Sequence, residues 1–305
     1  MRLAHLHLPP NTPFTHVSHL QEILTTRLLA HKKTTPISAA LPSKLLPPLD
    51  PTIITFSPNP VYTTGRRDLP PSNTHNKDKE DGSGRGKGGY GGRDNGLSLP
   101  PSLEPIRSIL TGGNGNGGKG RAEYHPTLRG GQTTYHGPGQ MVAYTILDLK
   151  RLGLSPRCHI RILENSVVDV LRRYNISGII TEDPGVWVPL PSSKTTGPGT
   201  GTKKITAVGV HLRRNISSYG IGFNVTEEPM WFFQQIVACG LEGREATSLE
   251  GLGVRGVSIR EVADGFVETF RGRVNGDFAC GSNGDRERIE GVYNISEEDI
   301  LRHGS

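Results

Sequence analysis

The sequence has few cysteines, few aromatic residues and no long apolar run. Its 305 residues include three cysteines, Cys158, Cys239 and Cys280, and they form neither a CxxC pair nor the cysteine–histidine spacing of a zinc site. We therefore expect no disulfide framework and a reducing compartment. No apolar run approaches the roughly 18 residues of a membrane-spanning helix, and aromatic residues make up only 6% of the chain. These features predict an aliphatic core and no membrane partner.

The charge balance is basic, with a formal net charge of +6 and a pI of about 9.3. Such a surface favours acidic partners through long-range attraction. No basic run is interleaved with aromatic residues, so nucleic acid is not an expected partner. An ordinary basic surface is the alternative interpretation.

Two stretches interrupt an otherwise regular pattern. Residues 72–120 are dominated by Gly, Asn, Asp, Lys and Arg, and they cannot bury enough apolar surface to offset the entropy of ordering. We predict a mostly disordered insertion there, with a brief helix in LSLPPSLEPIRSIL. A second insertion, residues 189–203, is predicted at the tip of a β-hairpin. Residues 1–71 and 121–275 would then form one catalytic domain, followed by a tail, 276–305, that includes a short helix.

The N-terminus supports two interpretations. It has no acidic residue before Glu22, which is typical of a mitochondrial presequence. The alternation from Leu3 to Leu8 is also typical of a strand, and Thr15–Arg27 of a helix packed on it. A segment needed for the fold would not be a removable signal.

The remaining apolar pattern predicts mixed strands and helices, hence an α+β or mixed α/β fold. Further helices are predicted at Cys158–Tyr174, Met230–Ala238 and Ile259–Val274, the last with Ser258 as N-cap. Strands are predicted at Ile53–Ser57, Met141–Leu147, Gly185–Val188, Ile205–Leu212 and Ile221–Val225.

The stretch RGGQTTYHGPGQMVAY, which begins at Arg129, is the strongest candidate site. Glycines allow a close backbone approach, and their N–H groups can hold a carbonyl oxygen or an oxyanion. His136 can orient a substrate or exchange a proton. The alternative is a tight turn around a core histidine. The P-loop pattern GxxxxGK[ST] is not present. The stretch GLGVRG at 251–256 resembles the dinucleotide-binding pattern, but no helix is predicted to start there.

Cys239 is the candidate nucleophile. It follows a predicted helix and precedes Gly240, and its thiol would need a nearby cation or base to become a thiolate. Lys203 and Lys204 begin a predicted strand and could supply that group. A small buried hydrophobic side chain is the alternative interpretation of the cysteine.

Five segments, in order, resemble the octanoyltransferase (LipB-type lipoyl(octanoyl) transferase) family. They are VYTTGRR (61–67), RGGQTTYHGPGQMVAYTILDLKR (129–151), EDPGVWV (182–188), KITAVGVHLRRNISSYGIGFNV (204–225) and ACG (238–240). The long insertions resemble those of a fungal or other eukaryotic mitochondrial member.

The resemblance implies a single domain like the biotin and lipoate protein ligases, in the class II aminoacyl-tRNA synthetase/biotin synthetase-like group. It implies that an octanoyl group passes from acyl carrier protein to a cysteine thioester and then to a lysine of a lipoyl domain. The acceptors would be 2-oxoacid dehydrogenase complexes and the glycine cleavage H protein. No ATP, metal or other cofactor is implied, and the implied location is mitochondrial.

The same resemblance assigns roles residue by residue. Cys239 aligns with the acyl-carrying nucleophile, and Lys204 with the lysine that lowers the cysteine pKa and acts as acid and base. Lys203 should point to the opposite face of a regular strand. The implied substrate-binding residues are Arg129, Gly130, Gly131, Gln132, Thr133, Thr134, Tyr135, His136, Ala207, Val208, Gly209, Gly220, Ile221 and Gly222. Arg129 and His136 would fix the loop rather than attack.

Two positions depart from the family pattern: Tyr219 replaces a frequent histidine, and Ala238 a frequent proline. Three alternatives to the transferase remain at this point. They are an ATP-dependent lipoate or biotin ligase on the same fold, a non-catalytic protein that binds lipoyl domains, and a cysteine hydrolase with His136 as base.

Overall fold

The computed structural model describes residues 1–34, 49–68, 99–111, 121–189, 201–238, 243–276 and 286–302. Within these ranges the strands are β1 (Leu3–Thr12), β2 (Thr52–Pro58), β3 (Val61–Thr64), β4 (Glu123–Pro126), β5 (Thr134–His136), β6 (Gln140–Ile146), β7 (Ile179–Ile180), β8 (Val186–Pro189), β9 (Thr202–Arg213), β10 (Ile216–Asn224), β11 (Glu245–Ala246) and β12 (Val292–Asn294). The helices are α1 (Phe14–Thr34), α2 (Arg107–Thr111), α3 (Pro156–Arg173), α4 (Glu228–Phe233), α5 (Ile259–Asn275) and α6 (Glu297–Leu301).

Most of the strands form one mixed sheet in the order β12-β1-β2-β6-β10-β9-β8-β7, with β11 paired to β9. β1 is parallel to both β2 and β12, whereas the pairs from β2 to β7 are antiparallel. A second, three-stranded sheet has the order β4-β3-β5. The predicted mixed α/β architecture is confirmed.

Side-chain alternation along the central strands divides the core into two layers. Met141 and Ala143 of β6 pack with α3 and α5, whereas the intervening Val142 packs on the other face with the helix α1. Successive residues of a strand point to opposite faces, so an uninterrupted apolar run such as β6 must be covered on both sides. Helices therefore flank the main sheet on both faces.

The N-terminal segment belongs to this core. β1 lies between β12 and β2 in the main sheet, and its Leu6 and Leu8 are buried beneath α1. The strand and helix predicted here are confirmed, and α1 extends to Thr34. Residues 286–302 of the tail also join the fold, because β12 pairs with β1 and Ile300 of α6 is buried.

The first insertion contributes a packed segment. Residues 99–111 form a 3₁₀ turn, Pro101–Ile106, followed by α2, and Leu103, Ile106 and Ile109 are buried against the second sheet. The brief predicted helix is thus confirmed. Residues 72–98 and 112–120 lie outside the described residues, so the disorder predicted for them stays a prediction. The β8–β9 hairpin is present, and residues 190–200 of its tip also lie outside that range.

Two expectations were wrong. The helix predicted to reach Ala238 ends at Phe233, where i→i+3 bonds from the N–H groups of Gln235 and Ile236 replace the helical pattern. Cys158 is buried in the core, but it is also disulfide-bonded, whereas the sequence predicted no disulfide framework. The other predicted helices and strands are confirmed, including the cap, where the Ser258 side chain accepts from the Glu261 N–H.

Candidate functional site

A cavity of about 350 Å³ opens along one edge of β9. β8 pairs with this edge of β9 from Thr202 onward, and the pairing ends at Val186 and Thr206. The edge is covered again at Val210, whose carbonyl accepts a hydrogen bond of 2.9 Å from the Gly130 N–H. The cavity occupies the gap between these two points, so it is walled partly by backbone.

The cavity brings together most of the residues that the sequence assigned to substrate binding. Its wall includes Arg129, Gly130, Gly131, Gln132, Thr134, His136, Lys204, Ala207, Val208, Gly209, Gly220, Ile221 and Gly222. Thr133 and Tyr135 do not line it. Since side chains alternate along β5 and the residue before it, Thr133 and Tyr135 face the other way. The Thr133 N–H and hydroxyl donate to Asp68 Oδ2 at 2.6 and 2.7 Å, and Tyr135 stacks on Phe232 at 4.4 Å.

Arg129 ties the glycine-rich loop to the second sheet. Its side chain is buried, and Nη2 donates to the Thr63 carbonyl at 2.7 Å and to the Thr63 hydroxyl at 2.9 Å. Nη1 donates to the Gly130 carbonyl at 3.1 Å. These bonds hold the glycine-rich loop over β9, which is the geometry that an anchoring role for Arg129 requires.

His136 is a neutral group in the cavity wall. Its Nδ1 lies 3.0 Å from Gln140 Oε1, and burial together with the Arg129 charge lowers its pKa to about 4. A side chain on Gly222 would meet the imidazole at about 3 Å, so only glycine leaves room for this ring. The geometry suits a fixed wall residue rather than a base that is half protonated near pH 7.

Lys204 projects into the same cavity from β9. Its Nζ donates to the Pro184 carbonyl at 3.1 Å and lies 4.5 Å from the centre of the Trp187 ring. The neighbouring Lys203 instead pairs with Glu245 at 2.6 Å and does not line the cavity. The two lysines thus point in different directions, as regular strand alternation predicts.

The loop before β8 is shaped to meet Lys204. Gly185 has a φ of +129°, and a side chain there would overlap the Thr206 carbonyl oxygen. The Gly185 N–H donates at 2.9 Å to Glu164, a buried carboxyl whose pKa is raised by burial. The Glu164 carboxyl therefore fixes the loop whose Pro184 carbonyl receives the Lys204 ammonium.

Cys239 lies outside the described residues, so its role stays a prediction from the sequence. The chain resumes at Gly243, and β11 then pairs with β9 at Lys203 and Lys204. The polypeptide therefore returns from the cysteine segment directly to the strand that holds the candidate acid and base.

Several wall residues were not assigned to substrate binding from the sequence: Arg67, Tyr144, Ile160, Asp183, Pro184, Val210 and Tyr219. Arg67, Asp183 and Pro184 belong to the motifs GRR and EDPG, which carry the family resemblance but to which the sequence assigned no role. Tyr219, one of the two departures from the family pattern, has a φ of +60°, and its N–H donates to Gln21 at 2.6 Å. Nothing in the sequence indicated Ile160, because it reaches the cavity from α3.

Two kinds of feature are absent from the described residues. Within those ranges, no group of three or more His, Cys, Asp or Glu residues could hold a metal ion. None of the helices described is long and apolar enough to span a membrane.

Comparison with known proteins places the chain in a family. Residues 119–271, half of the chain, match the lipoyl protein ligase A/B catalytic domain. The chain is similar to an octanoyltransferase of Schizosaccharomyces pombe, with 43% identity over 44% of this chain and 56% of that protein. It is 42% identical to an octanoyltransferase of Solibacter usitatus over 48% of this chain and 60% of the other, so the matches span little more than half of these relatives.

Solved structures agree on the fold. LipL1 of P. falciparum, in complex with lipoate, superposes with a TM-score of 0.53 at 10% identity, over 99% of this chain and 68% of the other. A lipoate-protein ligase A bound with ATP gives 0.50 at 13% identity, over 99% and 94%. At such identities the likeness concerns the fold alone. On the sequence match and this shared fold, the chain belongs to the lipoyl protein ligase A/B catalytic domain family.

Proposed function

We propose that this protein is an octanoyltransferase that carries an octanoyl group on Cys239 between two other proteins. The donor is octanoyl-acyl carrier protein, and the acceptor is a lysine of a lipoyl domain, as in 2-oxoacid dehydrogenase complexes or the glycine cleavage H protein. The observation that best supports this is the Lys204 amine in a cavity walled by three glycine-containing segments. Relatives at 42–43% identity are named octanoyltransferases.

The chemistry needs two exchanges at one carbonyl carbon. In the first, the Cys239 thiolate attacks the donor thioester, and the phosphopantetheine thiol leaves with the proton that Lys204 had taken from the cysteine. In the second, the acceptor amine attacks the enzyme thioester, and Cys239 leaves as the thiolate. Lys204, neutral after the first exchange, takes the proton that the amine loses. A thioester is already activated, so the proposal includes no ATP and no metal.

A mitochondrial location is part of the proposal. A Drosophila melanogaster relative, 37% identical over 49% of this chain, is named as a mitochondrial lipoyltransferase. The formal charge of +6 suits an acidic carrier protein.

The deciding experiment is intact-protein mass spectrometry after mixing with octanoyl-acyl carrier protein. We expect a gain of one octanoyl group, mapped to Cys239 by peptide analysis and absent in Cys239→Ala. Lys204→Ala should slow transfer on the order of 10² to 10⁴. Lys203→Ala is the matched control: it removes a lysine from the same strand, one that pairs with Glu245 outside the cavity, and it should leave the rate near normal. Acylation elsewhere, or equal effects of the two lysine changes, would refute the assignment.

The state of the three cysteines gives a second test. Cys158 is disulfide-bonded, and the proposal requires that Cys239 is not its partner but a thiol. Peptide mapping without reductant should therefore find Cys239 alkylated. A Cys158–Cys239 disulfide in the active protein would rule out the thioester.

The family also includes ligases, so the energy source must be tested directly. A ligase would modify a lipoyl domain when given octanoate and ATP without carrier protein, and would not need Cys239. We expect no product under those conditions. A protein that binds lipoyl domains without catalysis would give no product from either donor.

A further inference from the structure

His136 is the last of four buried residues in a hydrogen-bonded chain. Asn224 Nδ2 donates to the Thr247 carbonyl at 2.9 Å, Gln140 Nε2 donates to Asn224 Oδ1 at 2.7 Å, and His136 Nδ1 lies 3.0 Å from Gln140 Oε1. All four residues are at most 7% exposed. The chain ends beside the candidate acid and base, because the Thr247 N–H donates to the Lys204 carbonyl at 2.9 Å.

The direction of these bonds is fixed at one end. A backbone carbonyl can only accept, so the Thr247 oxygen requires the nitrogen of the Asn224 amide. The Asn224 oxygen must then face the Gln140 nitrogen, which leaves the Gln140 oxygen facing His136. The proton of the neutral imidazole is therefore on Nδ1, and Nε2 carries a lone pair.

That lone pair faces the cavity. His136 lines the cavity wall, and its Nε2 has no hydrogen-bond partner in the part of the chain that the structure describes. This nitrogen is also not fully buried, so it is accessible from the cavity. An accessible acceptor in a cavity suits a ligand group with an N–H or O–H bond.

The groups around His136 keep the ring neutral. Arg129, on the loop above it, lowers its pKa, as does burial, whereas the Gln140 hydrogen bond acts in the opposite direction. The other charged residues of the cavity wall are Arg67, Asp183 and Lys204.

We propose that Gln140 and Asn224 are positioning residues that hold His136 Nε2 as the hydrogen-bond acceptor for the attacking amine. This rests on the proposed acyl transfer, in which an octanoyl thioester group brings no N–H or O–H bond of its own. When the amine nitrogen bonds to the acyl carbon, the carbon–sulfur bond breaks and Cys239 keeps the electron pair. One amine proton goes to Lys204, and a remaining N–H points at Nε2.

The first measurement does not depend on activity. Long-range ¹H–¹⁵N correlation spectra of protein with ¹⁵N-labelled histidine, assigned with His136→Gln, report which ring nitrogen carries the proton. We expect a single Nδ1–H form at pH 7, and a mixture with the Nε2–H form in Asn224→Ala, with the His159 signal unchanged as an internal control. An Nε2–H form in the unmodified protein would overturn the proposal, even if transfer is confirmed.

The second measurement separates loading of the enzyme from its discharge. Gln140→Glu places a carboxylate on Nδ1 and should raise the His136 pKa, so the ring loses its lone pair as the pH falls through the new value. Discharge of octanoyl-enzyme to the amine should then slow by about twofold to tenfold at low pH, the effect of one hydrogen bond. Loading should keep its pH profile.

Gln234→Glu makes the same change at an exposed position and is the control. Slowed loading with normal discharge would overturn the assignment. It would indicate that an amide of the phosphopantetheine arm, rather than the amine, donates the hydrogen bond to Nε2. If Gln140→Glu does not fold, the spectra of the unmodified protein still show which nitrogen of His136 carries the proton. If no transfer occurs at all, the proposed function fails, while the spectra still report the His136 proton.

Discussion

Replacing Gly185 by alanine tests how the loop before β8 positions Lys204. The backbone there has a φ of +129°, which side chains rarely adopt, and this strain costs about 1–3 kcal/mol. The added methyl would also overlap the Thr206 carbonyl oxygen and approach Lys204 Cε at 3.3 Å. Relieving that overlap costs a further 1–3 kcal/mol, roughly. We therefore expect a loss of about 2–6 kcal/mol in the free energy of unfolding.

Urea denaturation followed by circular dichroism measures this loss. Gly272→Ala is the matched control, because Gly272 lies in α5 and, apart from the neighbouring backbone of that helix, no described atom lies within 4 Å of the added methyl group. Alanine there should stabilise the protein by about 0.5–1 kcal/mol. Gly185→Ala should also slow transfer in the fraction that folds, since the Pro184 carbonyl that receives the Lys204 ammonium must move. Equal denaturation midpoints for the Gly185 variant and the unmodified protein would refute the reasoning.

Three other predictions concern the cap of α5, the pH dependence and the charge. Ser258→Ala removes the acceptor of the Glu261 N–H and should cost about 1 kcal/mol in urea denaturation, whereas Ser258→Asp should cost less. Burial lowers the pKa of His5, His136 and His159 to about 4, so the unfolded chain binds more protons between pH about 6.5 and about 4. Stability should fall as the pH drops through that window, and a flat profile of urea midpoints would contradict this. Added salt should raise the KM for the acidic carrier protein; an unchanged KM would remove the electrostatic explanation of the +6 charge.

Much of the fold could be predicted because its elements carry local signals. The alternation in β1, the amphipathic pattern of α3 and the serine cap of α5 each depend on residues close in the chain. The end of α4 could not be predicted. Its apolar pattern continues past Phe233, but the stacking of Phe232 on Tyr135 is a contact between distant segments, and it accompanies the change to i→i+3 bonds.

The site divides in the same way. The glycine-rich loop and Lys204 were found because their motifs are contiguous. Ile160 and Glu164 were not, since they reach the site from α3, where the sequence shows only a core-facing pattern. Cys239 stays a prediction from sequence, because it lies outside the described residues.

The sequence by itself determined which residue types are available and where the backbone can bend, because propensity, alternation and glycine content are local properties. Only the tertiary structure decided that β8 leaves β9 at Thr206 and that the loop after Arg129 covers β9 again at Val210. It also decided that Thr247, Asn224, Gln140 and His136 lie in one hydrogen-bonded chain. These arrangements depend on pairings between segments far apart in the chain, which no local pattern specifies.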